Sequence, residues 1–557
     1  MFRSLAFFML ILGLLLSLVS AQTENDIILA PDPLRPDIVV NDLLTIENRS
    51  VRIAKSPSEK YLYYMRDNGE IYQVDIDTAS KSRIFTAADH GVSSPLGFAV
   101  SPDSAFYVAG NIRQGARTRG IIKRANPPDF TWTTLARTEL YQLSNTAFDH
   151  LFNGIAISPD GSELFVNSGS RTDHGETQEF NGAFPDLREA PLTSAIFKLP
   201  IDGEDILLHN NEDSLLTTGY LYADGFRNSF DLAFAPNGDL FATENSGDRD
   251  DGDELNWIRE GRHYGFPWRM GANDTPQQFP GFDPDTDLLI NRGSLSYTSG
   301  FFYDDPTYPA PPAGIVFTDP VINLGPDSDR FRNPSDGSIQ DASDLGVTHS
   351  TFTPHLSPLG LVFDTEGALI EEFNGDGFLL GWTDTGSNLF NPFGDPGESL
   401  FHLDLTKIPG EDRYEATITR LVTGFKNPID AVMIGNKIYV LEFDFGSSAK
   451  IQEVTLPAVS TAIEERDNSP QQFVLHQNYP NPFNPATIIE FSIGQPGFVT
   501  LEIINNLGQA IEKIAAGYFS AGDHKVRWNA GALPGGVYYY RLHAASGFEV
   551  KKLILLK

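Results

Sequence analysis

The 557-residue sequence contains no cysteine. Disulfides, thiolate nucleophiles and cysteine-ligated zinc or iron–sulfur centres are thereby excluded. Basic residues are scarce: 40 Lys+Arg stand against 74 Asp+Glu, a formal net charge of −34. So negative a chain is a poor partner for nucleic acid or an anionic membrane surface. Several sequence signatures are missing as well. There is no Gly-x-Gly-x-x-Gly nucleotide loop, no Gly-x-Ser-x-Gly nucleophile elbow and no His-x-x-His zinc spacing. Beyond the N-terminus no apolar run approaches the roughly 20 residues that a membrane-spanning helix needs.

The N-terminus reads as a signal peptide over residues 1–21. Arg3 supplies the positive end, Leu5 to Val19 is almost wholly apolar, and Val19-Ser20-Ala21 is a small-residue cleavage site. Export is therefore expected, with no transmembrane segment after cleavage. A polar, Pro-containing lead segment follows over residues 22–43.

From residue 44 to 457 one unit recurs: an apolar strand, a turn of Pro, Asp, Asn and Gly, and a second apolar strand. VRIAKSPSEKYLYYM from Val51, PLGFAVSPDSAFYVAG from Pro95, NGIAISPDGSELFVNSG from Asn153 and SFDLAFAPNGDLFATE from Ser229 are clear copies. SPLGLVFDTEGAL from Ser357 and PIDAVMIGNKIYVLE from Pro428 are weaker ones. Asn237-Gly238 is the strongest of these hairpin signals. About six such units predict an all-β fold, a six-bladed β-propeller. A long insertion, rich in Asp, Pro, Gly and aromatics, runs from about Gly271 to Pro354, and the sequence assigns it no role. Residues 458–470 read as a linker, and residues 471–557 as a small C-terminal β-sandwich of Ig-like type.

Residues just before each unit's first strand should converge at one mouth of a propeller. His150, Arg227-Asn228, His355 and Lys426-Asn427 occupy those places. Two of the approaches match closely: Gly225-Phe226-Arg227-Asn228-Ser229-Phe230-Asp231 and Gly424-Phe425-Lys426-Asn427-Pro428-Ile429-Asp430. Two His and two cations around one mouth suit an anionic ligand beside a group that loses a proton. His174, which follows its strand, is a further loop candidate. Asp248, Asp250, Asp251, Asp253 and Glu254 place five carboxylates within seven residues. They offer oxygen ligands to calcium, with Asp253 and Glu254 the leading pair; the spacing is not that of an EF-hand, and a solvated acidic loop is the alternative.

The stretch from Ala223 to Trp268, with its Gly-Phe-Arg-Asn turn, apolar hairpin, Asp253-Glu254-Leu255-Asn256 segment and Tyr264-Gly265-Phe266-Pro267, resembles the soluble glucose/sorbosone dehydrogenases. That resemblance implies a propeller that oxidises an aldose or other alcohol by hydride transfer to pyrroloquinoline quinone (PQQ), with calcium as a second cofactor. It implies His150 as catalytic base, Arg227 in contact with cofactor and substrate, and Asn228 on the quinone; Lys426, which no family motif fixes, and His355 are assigned to the cofactor side by their places at the mouth. It also implies calcium near Asn245 and Gly247, and a structural calcium on Asp253 and Glu254. The chain departs from the family pattern in following His150 with Leu151-Phe152-Asn153-Gly154, and in its longer acidic loop. A calcium-dependent lactonase-type hydrolase and a non-catalytic propeller that binds glycan or protein stay open as alternatives.

Asn478-Tyr479-Pro480-Asn481-Pro482-Phe483-Asn484-Pro485, Asn506-Leu507-Gly508 and Leu533-Pro534-Gly535-Gly536-Val537-Tyr538 resemble the type A C-terminal sorting domain of the type IX secretion system. This implies handling by that secretion machinery and release to the medium or the cell surface.

Overall fold

The computed structural model describes residues 31–459 and 473–556, apart from 384, 385, 388, 447, 495, 496, 506–509, 532, 545 and 546. The signal peptide, most of the linker and the Asn506-Leu507-Gly508 motif lie outside the described residues. The chain divides into two compact units, Met1–Val459 and Ser460–Lys557.

The first unit is built from sheets, antiparallel but for one parallel pair in the second and one in the fifth, that start from six short strands: Ser50–Lys55, Ser94–Val100, Phe152–Ile157, Ser229–Phe234, Pro358–Phe363 and Pro428–Ile434. Each packs against the next in chain order, and the last packs against the first. The recurrent turn chemistry makes each hairpin. At Pro236-Asn237-Gly238 the Gly238 N–H donates to the Ala235 carbonyl, and Gly238 takes φ +87°, which suits glycine. Each first strand carries a register shift near its start, between Ser50 and Arg52, Pro95 and Gly97, Phe152 and Ile155, Ser229 and Leu232, Pro358 and Leu361, and Pro428 and Asp430. Six bulges at matching places bend six strands in the same way. Apolar layers fill the spaces between neighbouring sheets. Tyr107 and Ile122 of the second meet Phe152 and Leu164 of the third, and Phe241 and Leu255 of the fourth meet Leu361 and Phe401 of the fifth.

The N-terminal end of the chain closes this arrangement. Val39–Glu47 pairs antiparallel with Ser448–Thr455, from Val39 opposite Thr455 to Glu47 opposite Ser448. Residues 39–43 were expected in the lead segment; they belong instead to the outermost strand of the last sheet. Asp32–Pro33 likewise pairs with the strand Tyr414–Thr423. The long insertion adds Ile322–Pro326 and His349–Ser350 to the fifth sheet.

Three buried side chains tie the first strands together. The Arg52 guanidinium donates to the Leu96 carbonyl (2.7 Å), to the Phe230 carbonyl and to Asp231 Oδ1 (3.2 Å), and stands 3.8 Å from Asp430 Oδ1. It also lies 4.0 Å over the Phe230 ring. Asp231 Oδ2 accepts from Leu361 N, and Asp430 Oδ2 from Ile53 N. A cavity of about 200 Å³ lies against this triad, lined among others by Phe98, Ile155 and Leu361. Burial raises both carboxyl groups above their ordinary range, for Asp430 with the nearby Asp231 adding to it, while Arg52 opposes the rise.

The second unit holds two antiparallel sheets. One comprises Phe473–Leu475, Ala486–Ile493 and Gly522–Asn529; the other Ala510–Phe519, Gly497–Ile504, Gly536–Ala544 and Gly547–Leu555. They share one apolar cluster, with Phe491 and Trp528 from the first and Leu501, Tyr540 and Leu553 from the second. Among the described residues no helix is long and apolar enough to cross a membrane.

Removing Arg52 leaves two buried carboxyl groups without their cation. Arg52→Met is expected to lower the unfolding free energy by about 3–5 kcal/mol, the usual cost of stranding a buried charge. Arg52→Met/Asp430→Asn should recover part of that loss. Denaturant unfolding monitored by tryptophan fluorescence reads both; an unchanged midpoint in the single variant would contradict the linking role.

Candidate active site

Just before several first strands the backbone passes through the left-handed region. Arg49, Leu151, His355, Ser357 and Asn427 have φ between 46° and 63°. Non-glycine residues held in this way gather where surrounding structure over-determines a site. At Leu151 the consequence is direct. The His150 N–H donates to the Ser170 carbonyl (2.9 Å), Gly169 N to the Leu151 carbonyl (2.8 Å), and Ser170 N to the Arg227 carbonyl (2.7 Å). The segments carrying His150, Ser170 and Arg227 therefore lie side by side. Gly169 permits this approach, because a Cβ there would stand 2.5 Å from His150 Cβ.

His150 is buried. Burial, then the Arg227 charge, hold its imidazole well below the ordinary histidine range, with Asp173 pulling the other way. It is neutral at physiological pH, the form that can accept a proton. Its Nδ1 lies 3.2 Å from Ser170 Oγ. The Arg227-Asn228 turn is clamped from behind by Glu244, whose Oε1 accepts from both backbone N–H groups at 2.6 and 2.7 Å and whose Oε2 accepts from the Ser229 hydroxyl. The Asn228 side-chain oxygen accepts from Asn153 Nδ2 at 3.1 Å, which fixes the amide's orientation.

The Arg227 guanidinium is oriented just as firmly. Nε donates to the Asp173 carbonyl (2.9 Å), a terminal nitrogen to Asp173 Oδ1 (2.8 Å), and the other terminal nitrogen to the Asn245 carbonyl (3.2 Å). Its centre lies 5.6 Å from the Phe148 ring centroid. Asp173 is fully buried. Burial would raise its carboxyl group, but Arg227 and His174 outweigh that and hold it below the ordinary carboxylate range. It also accepts from the Ser296 hydroxyl at 2.6 Å and from His174 Nδ1 at 3.0 Å. His174 stacks on Phe302 with ring centroids 4.2 Å apart. Ser296 N donates to Asp248 Oδ2 (2.7 Å). The His174 Nε2 lies 3.2 Å from the Phe301 carbonyl oxygen, so the long insertion supplies Ser296, Phe301 and Phe302 to this network, which is the role the sequence left unassigned.

His355 donates to Asp250 Oδ1 at 2.8 Å, and Arg332 donates to Asp250 Oδ2 at 2.5 Å. Burial lowers the His355 imidazole, but Asp250 outweighs it and raises the group above the ordinary range. The His355 segment reaches the Arg227 network through Ser357, whose hydroxyl donates to Asn245 Oδ1 at 2.7 Å. Lys426 stands apart. Its side chain is 56% exposed and its ammonium pairs with Asp444. The matching heptapeptide therefore places a backbone equivalent of Arg227 without giving its side chain the same surroundings.

The acidic run is organised differently from the expected pair. Asp253 stands just before the strand Glu254–Ile258, and the two carboxylates find different partners. Asp253 accepts from Ser246 N and Oγ and from Ser357 N. Glu254 accepts from Gly271 N (2.7 Å) and Asn256 Nδ2 (2.8 Å) and lies directly across the strand pair from Glu244. These two buried carboxyl groups line a small cavity with Ser246 and Gly271. Burial raises both, Glu244 to about 7 and Glu254 to about 8, the latter helped by Glu244. Asn245 is occupied by Arg227 and Ser357, and a Cβ on Gly247 would stand 3.1 Å from the Asp173 carbonyl and side-chain oxygens. Among the described residues no group of three or more His, Asp or Glu is arranged to hold a metal. Ser170, Asp173, Glu244 and Ser296 were missed as site residues. Asp173 adjoins the candidate His174, Glu244 ends the hairpin unit that starts at Ser229, and Ser296 lies in the long insertion, while no signal pointed to Ser170.

Residues 106–288 match the family model described as Glucose / Sorbosone dehydrogenase, and residues 477–556 match the Secretion system C-terminal sorting domain. Quinoprotein glucose dehydrogenase B of Acinetobacter calcoaceticus is 25% identical over 261 residues, which is 42% of this chain and 53% of that protein. The chain thus spans about half the length of that relative. Among solved structures, the apo form of the soluble aldose sugar dehydrogenase from Escherichia coli is 14% identical, covering 75% of this chain and 99% of its own, with a TM-score of 0.47. The PQQ-bound aldose sugar dehydrogenase from Streptomyces coelicolor is 18% identical, covering 76% of this chain and 99% of its own, with a TM-score of 0.43. Residues 106–288 are thus similar to the glucose/sorbosone dehydrogenases, residues 477–556 are similar to a type IX secretion sorting domain, and the chain is a secreted or cell-surface protein.

Proposed function

We propose that the six sheets are the blades of a six-bladed β-propeller, that the second unit is an Ig-like sandwich serving as the sorting signal, and that the mouth at His150 oxidises a sugar or other alcohol with PQQ and calcium. One observation carries the catalytic reading: a buried histidine kept neutral beside a buried arginine whose direction is fixed. PQQ is a polycarboxylate, and the residues at the mouth fit it. A guanidinium has five N–H donors, and the Asp173 and Asn245 bonds use three of them on the protein side. Arg227 and Asn228 would hold the quinone, which when bound supplies a hydride acceptor. His150 would take the proton of the substrate hydroxyl, and the Arg227 charge keeps that imidazole ready to accept by disfavouring its protonated form in the resting site.

The calcium reading rests on Glu244 and Glu254. Like charges placed directly opposite on paired strands destabilise a sheet, and a cavity of about 10 Å³ between them is of the size one small occupant needs. A hard cation there would draw on two carboxylates and on neighbouring oxygens such as Ser246.

Two measurements follow. Sugar-dependent dye reduction by the full chain should require added PQQ. His150→Ala should lower kcat by about 10²–10⁴-fold, the usual range for a general base. Because burial and Arg227 lower the His150 imidazole, against Asp173, activity should show no titration near pH 6.5 and should fall only well below it. Turnover without quinone, or EDTA-sensitive lactone hydrolysis in its place, would overturn the reading. Second, both Glu side chains have folded-state values above their ordinary 4.5. The stability they contribute is full below pH 4.5 and is lost as pH rises through about 7 to 8. Metal-free protein should therefore lose thermal stability over that window, and calcium should restore it at pH 8. Glu254→Gln should flatten the pH dependence and abolish the calcium effect; a calcium effect that survives Glu254→Gln would place the ion elsewhere.

A further inference from the structure

His150 and Ser170 are joined by more than backbone. Ser170 Oγ lies 3.2 Å from His150 Nδ1 and 2.7 Å from the Thr172 carbonyl oxygen. A serine hydroxyl has one hydrogen to donate, and a carbonyl oxygen only accepts. The shorter contact is therefore the one that uses the hydroxyl hydrogen. Toward His150, Oγ presents a lone pair, and a lone pair facing Nδ1 requires that Nδ1 carry the ring's hydrogen. In a neutral imidazole only one nitrogen is protonated, so Nε2 keeps its lone pair.

The surroundings make this arrangement rigid. Ser170 is 1% exposed, and its own N–H and carbonyl are taken by the Arg227 carbonyl and the His150 N–H. Gly169 presses against His150 Cβ, which limits the ring's swing. The Thr172 carbonyl that orients the hydroxyl belongs to the segment anchored by Arg171, a fully buried guanidinium that donates to the Leu143, Leu187, Arg188 and Gln178 carbonyls. Leu143 lies in the approach to His150, so one arginine ties both sides of the His150–Ser170 contact.

We infer that Ser170 is a positioning residue: it fixes the neutral His150 ring in the Nδ1–H tautomer and leaves Nε2 as the proton-accepting atom. In the reaction proposed above, the substrate O–H bond breaks and an Nε2–H bond forms, giving an imidazolium. The hydrogen-bond partner at Nδ1 is an uncharged hydroxyl, so the tautomer is set by a neutral acceptor, while Asp173 acts on the ring only through its charge. This catalytic consequence rests on the dehydrogenase reading; the tautomer does not.

The test uses the full chain labelled with ¹⁵N at its eleven histidines, His150 being assigned by the resonances missing from His150→Gln. Long-range ¹H–¹⁵N spectra at neutral pH should show His150 with Nδ1 protonated and Nε2 unprotonated. In Ser170→Ala the two ¹⁵N shifts should move toward a tautomer mixture, and Ser170→Thr, which keeps a hydroxyl, should restore the original pair. An unchanged unfolding midpoint in Ser170→Ala separates this from general loosening. In turnover, Ser170→Ala should lower kcat by about 10–100-fold with KM for the sugar little changed, as expected of a misplaced base. A wild-type spectrum with Nε2 protonated would overturn the inference, and so would a Ser170→Ala spectrum identical to wild type. The expected spectra with no quinone-dependent turnover would uphold the tautomer assignment and remove the dehydrogenase reading.

Discussion

Arg52 is the side chain on which the first unit most depends. It and two aspartates bond to five of the six first strands: its own, Leu96 on the second, Phe230 and Asp231 on the fourth, Leu361 on the fifth and Asp430 on the last. Sheets arranged around a common centre meet mostly through apolar faces, which are non-directional. A buried ionic group with defined partners adds what apolar packing lacks, a fixed register between strands far apart in sequence. Asp231 and Asp430 each follow the Gly-Phe-Arg/Lys-Asn turns by the same spacing, so one motif serves both the mouth and the centre. That coupling ties the placement of Arg227 and Asn228 to the buried centre.

The mouth itself is a set of matched charges. Arg227 has Asp173, His355 and Arg332 share Asp250, and Arg249 bonds to Asp251 and Asp287. In a chain as acidic as this one, buried cations would find carboxylates almost anywhere; what distinguishes the site is that each pairing also fixes direction. Asp173 holds Arg227 by its backbone and its side chain at once, and is itself held by Ser296 of the insertion. The insertion is therefore part of the site's framework. His150 is the exception to the matching: burial, with Arg227, leaves it neutral, the state that the proposed base needs.

Much of the fold was legible in sequence because it is local. A hairpin whose turn needs Asn-Gly or Asp-Gly announces itself within about sixteen residues, and its recurrence announces the architecture. The closure was not legible: Val39–Glu47 finds its partner about 400 residues later, at Ser448–Thr455, and nothing in a polar lead segment marks it as an edge waiting to be paired. His150, Arg227 and Asn228 could be singled out because first strands begin at one mouth. Lys426 could be singled out by the same rule, yet its side chain turns to Asp444 and solvent. A motif fixes where a backbone goes, while neighbouring segments decide what its side chain meets. Asp253 and Glu254 show the same limit at shorter range. Adjacent in sequence, they bond to different segments, and the cross-strand neighbour of Glu254 is Glu244, across the hairpin.

The central claim is that this mouth receives PQQ. Spectroscopic titration of the calcium-loaded full chain with the quinone tests it most directly. Saturable binding of one equivalent, clearly weakened by Arg227→Ala and little altered by Lys426→Ala, is the predicted result. No binding at tens of micromolar quinone, or binding indifferent to Arg227, would contradict it and leave a secreted propeller whose mouth serves another chemistry.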